Sequence, residues 1–167
     1  ICGNELVMKY ISADMEEGYP GNMTTVIIFA FRNHELSINV SFTSDKDTIA
    51  NIINHSYFNL NGHNSGKILD HSLIINANKF CENDDTVMPF RAAIDVENTP
   101  FDFRHVHTIG ERLFTDNEQL KKGRGYDHNW ALNGDWHAAS AMGEISGIKL
   151  DVFTDLPGIQ FYSGNVI

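Results

Sequence analysis

From Glu35 to Thr43 the chain alternates strictly. Leu36, Ile38, Val40 and Phe42 fall on one side, and Glu35, Ser37, Asn39, Ser41 and Thr43 on the other. A period of two cannot form the apolar stripe of a helix, so the segment predicts an antiparallel strand with one face against a core. Just before it, Thr24 to Phe31 is continuously apolar and β-branched, and Asn33-His34 between the two predicts a tight hairpin turn. The same logic makes a hairpin of Ile148, Leu150 and Val152, which alternate with Lys149 and Asp151 after a Ser146-Gly147 turn. Leu73 to Ile75 and Trp130 to Leu132 are shorter strand candidates. Only Gly110 to Leu120 carries helix formers with any spacing, enough for a turn or two.

Thirteen glycines and many Asn and Asp residues punctuate these segments at short intervals, as in a sandwich. The predicted class is therefore all-β and antiparallel. A chain of 167 residues suits one domain, and its 42% hydrophobic and 20% charged residues argue against disorder.

The net charge of −10, from 12 basic and 22 acidic side chains, opposes a polyanionic partner, so no nucleic acid is expected. The longest basic run, Lys121-Lys122-Gly123-Arg124, reads as a solvated loop. Cys2 and Cys81 are far apart and make neither a disulfide framework nor a zinc pattern, which points to a reduced, cytoplasmic setting. No apolar run approaches the roughly 20 residues of a membrane span, and no signal peptide is visible, so no membrane association is expected. The sequons at Asn22, Asn39 and Asn54 are read as chance.

The chemistry concentrates after a β-branched run. Thr48 to Ile53 predicts a strand that ends at Asn54-His55-Ser56-Tyr57-Phe58-Asn59-Leu60-Asn61-Gly62, a polar, titratable segment closed by an Asn-Gly turn. On its residues alone, His55 is either a histidine satisfied at a strand end or a proton donor. Its reference pKa of about 6.5 suits the second role. Asp127, after Gly125-Tyr126, is either a turn aspartate or a carboxylate that grips hydroxyls. Gln160 is an ordinary strand residue or an amide that both donates and accepts to a hydroxyl array. Tyr57 is a core tyrosine or a sugar contact. In an extended segment His128 faces away from Asp127 and reads as structural. His105-Val106-His107 puts two imidazoles on one strand face, but no third ligand stands at a recognisable spacing, so no metal is expected. Trp130 and Trp136 read as core or loop aromatics.

The Asn54–Gly62 segment, together with Glu17-Gly18-Tyr19-Pro20-Gly21, Thr99-Pro100-Phe101-Asp102, Gly125-Tyr126-Asp127-His128-Asn129 and Pro157-Gly158-Ile159-Gln160-Phe161-Tyr162-Ser163-Gly164-Asn165, resembles the aldose 1-epimerases, the galactose mutarotases. The blocks come in the family's order and at near-family spacing along the whole chain, which looks like the middle portion of such a protein. The resemblance implies a large antiparallel β-supersandwich. It also implies an isomerase without cofactor that interconverts the α and β anomers of aldohexoses such as galactose and glucose. His55 would be the general acid, and His55, Ser56, Tyr57, Asp127 and Gln160 would lie at the sugar.

The family's second histidine and arginine, which precede this region, and its catalytic glutamate, which follows, have no counterpart between Ile1 and Ile167. Glu144 stands in the wrong context to replace that glutamate. Residues 1–167 are therefore expected to form one partial domain truncated at both ends and inactive by itself. The alternative is a non-catalytic sugar-binding or regulatory β-domain.

Overall fold

The computed structural model describes residues 3–166; Cys2 and both chain ends fall outside it. The chain divides into two compact units, Ile1–Ser56 and Tyr57–Ile167.

The first unit is one three-stranded antiparallel sheet of β1 (Glu5–Ser12), β2 (Met23–Arg32) and β3 (Glu35–Ser44), in that order. β2 and β3 pair in unbroken register from Met23↔Ser44 to Arg32↔Glu35. The hairpin turns at Asn33 and His34, both at positive φ (51° and 65°), so the backbone twist of the turn matches that of the strands. β1 was not expected from the sequence; it pairs along β2 from Glu5↔Ala30 to Ser12↔Met23. The Glu17–Gly21 block lies in the β1–β2 connection. There Asp14 ties the backbone N–H of Gly21 (2.7 Å) to the Lys46 ammonium (2.5 Å), and Asp45 accepts from both the backbone and the side chain of Asn22 at 2.7 Å.

Two expectations fail in this unit. The alternation in β3 forms the strand, but its apolar face is not buried: Leu36 is 53% exposed and Phe42 50%. A single sheet offers no second layer to bury that face. Thr48 to Ile53 is not a strand either. It joins no ladder, because β-branched composition favours an extended chain but needs a neighbouring edge to make a sheet.

The second unit holds two four-stranded antiparallel sheets. One has the order β10 (Lys149–Phe153), β9 (His137–Met142), β4 (Ser72–Ile75), β7 (His107–Thr108). The other has the order β11 (Gly158–Tyr162), β8 (Asp127–Ala131), β5 (Lys79–Phe80), β6 (Ile94–Asp95). Leu73, Ile75 and Ala139 from the first sheet meet Phe80 and Trp130 from the second in one core, joined by Phe101, Phe103 and Tyr126 from connecting segments. Phe80 and Phe101 stack with ring centroids 4.1 Å apart. Trp130 is fully buried and donates its indole N–H to the Phe101 carbonyl at 3.0 Å. Phe101-Asp102-Phe103-Arg104 is structural here, because both phenylalanines enter the core while Arg104 clamps the Asp102 carboxylate at 2.9 and 2.7 Å. The hydrogen bonds from Arg104 hold the Asp102 carboxyl below the usual carboxylate range.

The helix is short and later than expected. α1 (Glu118–Gly123) starts where Asn117 caps it, accepting from the N–H groups of Gln119 and Leu120 (2.9 and 3.3 Å). Residues 110–114 form turns and 115–116 a bend instead. The Lys121–Arg124 run is thus not a loop: Lys121 and Lys122 close the helix and Arg124 is its left-handed C-terminal cap.

Candidate functional site

Strand β8 reads Asp-His-Asn-Trp-Ala, and its burial alternates with the pleat. His128 and Trp130 point into the core, while Asp127, Asn129 and Ala131 point away from it. The register of β8 with β11 pairs Asp127 with Tyr162 and Asn129 with Gln160, so these four side chains share the outer face. Across the diagonal, Gln160 Nε2 donates to Asp127 Oδ1 at 2.9 Å. Two of the residues expected at the sugar are therefore joined by a hydrogen bond. Tyr57 reaches the same face, with its ring centroid 5.8 Å from that of Tyr162.

A cavity of about 300 Å³ opens beside them, lined by Asp127, Tyr162, Asn165, Lys122, Arg124 and Asp85, among others. That is the lower end of the range for small-molecule sites. Lys122 Nζ lies 3.0 Å from Asp85 and 3.4 Å from the Asn83 carbonyl. Asn165 donates to the carbonyls of Gly123 and Tyr126 (2.8 and 2.9 Å) and accepts from Ser163 Oγ. The loop into Asp127 passes through Gly125 at φ 139°, so close to Asn165 and Ser163 that a Cβ would collide with their side chains. Only glycine lets Asp127 enter β8 at that point.

His55 and Ser56 end the first unit. His55 is exposed, and Ser56 Oγ donates to Asn54 Oδ1 at 2.8 Å. Leu60 and Asn61 of the same segment belong to the second unit and are structural. The Leu60 N–H donates to His71 Nε2 at 3.0 Å. Asn61 donates to Glu144 at 2.9 Å and accepts from the N–H groups of Ile145 and Ser146. Glu144 also lies 3.0 Å from His71 Nδ1. A hydrogen bond from its own backbone, with help from Asn61 and His71, keeps its carboxyl below the usual range. Glu144 is thus fastened into a turn rather than presented to a ligand.

The aldose 1-epimerase family profile matches residues 3–167. The chain belongs to the aldose 1-epimerase family. It is 35% identical over its full length to the human galactose mutarotase, covering 48% of that protein. To the aldose 1-epimerase of Escherichia coli (strain K12) it is 34% identical, over 98% of this chain and 48% of the bacterial protein. Among solved structures, the galactose 1-epimerase of Lactobacillus acidophilus superposes with a TM-score of 0.87 at 32% identity, over 97% of this chain and 47% of that one. The chain spans about half the length of the curated relatives it matches.

Other polar clusters of this family member have structural geometry. His137, Ser140 and Asp151 meet, but Ser140 Oγ donates to Asp151 at 2.5 Å, so it is not set up to be deprotonated by His137. His107 lies 3.0 Å from both oxygens of Glu111, and the described residues contain no group of three or more His, Cys, Asp or Glu placed to hold a metal ion. Trp130 is core and Trp136 is exposed, as expected.

The sequence reading missed Tyr162, Asn165 and Lys122 as neighbours of Asp127. The strand alternation with Gln160 and Tyr162 on one face was the signal for the first. The two others needed the fold.

Proposed function

We propose that the full-length protein carrying this chain is an aldose 1-epimerase, an isomerase that interconverts the α and β anomers of free aldohexoses, galactose and glucose foremost. The observation that carries this reading is the Asp127–Gln160 pair on an exposed sheet face beside a cavity of monosaccharide size, within a chain of the aldose 1-epimerase family. A carboxylate and an amide, oriented by one another, offer acceptors and donors that match adjacent hydroxyls.

In this reading His55 protonates the ring oxygen as a base removes the proton from the C1 hydroxyl. The bond between C1 and the ring oxygen breaks, and the electron pair on O1 forms the aldehyde. Rotation about C1–C2 and the reverse proton transfers close the ring on the other face. Protons and electrons balance without cofactor or redox partner. Ser56 and Tyr57 flank the acid, and Asp127 and Gln160 grip hydroxyls. The family reading gives the base role to a glutamate, and residues 1–167 are part of one mutarotase-like domain. A cytoplasmic setting rests on the two cysteines, too few and too far apart for a disulfide framework.

Polarimetry of freshly dissolved α-D-galactose tests the reading. The full-length protein should speed the approach to anomeric equilibrium well above the buffer rate. A rate equal to buffer, with galactose still binding, would leave the sugar-binding domain instead.

A further inference from the structure

Asp127 turns its side chain outward, but its peptide groups are held from inside the core. Its N–H donates to Nδ1 of His128 at 3.1 Å, and its carbonyl accepts from Asn83 Nδ2 at 2.7 Å. Because Nδ1 accepts, the ring hydrogen of neutral His128 sits on Nε2, which lies 3.2 Å from Gln119 Oε1. Gln119 Oε1 also accepts the N–H of Asn83 at 2.7 Å, and Gln119 Nε2 donates to the Asn83 carbonyl at 3.2 Å. The chain of hydrogen bonds therefore starts and ends on Asp127, with Gln119 at its centre.

All three side chains are buried: His128 is 0% exposed, Asn83 1% and Gln119 8%. Phe80, Phe101 and Trp130 surround the imidazole, with ring centroids 6.0, 4.6 and 6.5 Å away. Polar groups at such a site add little net stability over apolar residues of the same shape, and they are costly if any partner is missing. What the network does contribute is direction. It ties helix α1, through its capped first turn, to the one residue of β8 whose carboxylate faces the cavity.

We propose that Gln119, acting through His128 and Asn83, is a positioning residue that sets the orientation of Asp127 toward substrate. The proposal rests on the reading of Asp127 as a sugar contact. Burial keeps His128 neutral, lowering its pKa to about 4, so the wiring does not change across the neutral range.

The test uses the full-length protein with Gln119→Leu, Asp127→Asn and the double variant. Gln119→Leu should raise KM for galactose about tenfold with kcat within about twofold, and should add nothing in the Asp127→Asn background. An unchanged KM in folded Gln119→Leu, or effects that multiply in the double variant, would overturn the proposal. If the leucine variant does not fold, Gln119→Asn, which stays polar but withdraws the carbonyl by one carbon, is judged by the same criterion.

A second readout does not depend on sugar chemistry. In ¹⁵N spectra His128 should be the Nε2–H tautomer, and the Gln160 side-chain amide, bonded to Asp127, should shift in either Gln119 variant. A wild type without mutarotation removes the proposed function, and this readout then decides the positioning role. An Nδ1–H tautomer or an unmoved Gln160 amide sinks it.

Discussion

The two units of this chain are built from the same kind of strand and end in opposite states. In the first, β2 and β3 pair along their full length, yet Leu36, Val40 and Phe42 remain 39% to 53% exposed. In the second, strands of two to six residues suffice, and Trp130, Tyr126 and Phe101 are fully buried. Strand length and regularity follow from local alternation and turn chemistry. Burial follows from a second layer, which only the second unit has. The residues expected at the sugar are distributed along the same line. Asp127 and Gln160 stand on a sheet backed by an aromatic core, whereas His55 and Ser56 belong to the unit without one.

The largest expected effect concerns that division. If the first unit contributes the proton donor, His55→Ala in the full-length protein should lower kcat by about 10²–10⁴-fold with a smaller change in KM. Near-wild-type kcat would break the assignment and leave the chemistry with the second unit.

Next comes the core. Trp130→Ala removes a fully buried side chain and its hydrogen bond to Phe101, and should cost about 3–5 kcal/mol in a denaturant titration. A loss under about 1 kcal/mol would mean that the aromatic cluster does not hold the second unit together.

Acid should expose the buried imidazole at nearly the same scale. His128 has a folded pKa lowered to about 4 by burial, against an unfolded value near 6.5. Between those values the unfolded chain binds the proton and the folded one does not. This contribution to stability is therefore whole above about pH 6.5 and is lost, by on the order of 3 kcal/mol, as pH falls to about 4. Thermal melts of wild type and His128→Gln across that window should converge as pH falls. Parallel curves would show that His128 accepts a proton in the fold.

Asp127→Ala should weaken galactose binding by about tenfold to a hundredfold, the scale of hydrogen bonds to a charged group, and should raise KM more than it lowers kcat. Isothermal titration and initial rates check this together. The smallest effect is the sharpest test of the contrast. In residues 1–167 expressed alone, Leu36→Ala should change stability by no more than about 0.5 kcal/mol, because its face is uncovered. A loss of several kcal/mol would show that another layer packs on β3.

Much of this was legible in the residues. The β2–β3 hairpin and its two-residue turn follow from the alternation and Asn33-His34, and the β9–β10 hairpin from Ser146-Gly147. The inward direction of His128 and the outward direction of Asp127 follow from a period of two. Less legible was α1, which begins only at the Asn117 cap, since propensity over residues 110–120 says nothing about where a cap can form. Lys122 looked like part of a solvated loop, and its place beside Asp127 depends on that helix.

By itself, the sequence determined the class of the fold, the hairpins and the residue types available for sugar chemistry, because these rest on local backbone preference and side-chain period. The tertiary structure decided which apolar faces are buried, which polar groups meet, and that Glu144 is held in a turn while Asp127 is presented. Those outcomes depend on contacts between residues far apart in the chain: Asn83 with Gln119, Asp127 with Gln160, Asn61 with Glu144. No local pattern encodes such a pairing, because it exists only once the distant segments that carry its members lie side by side.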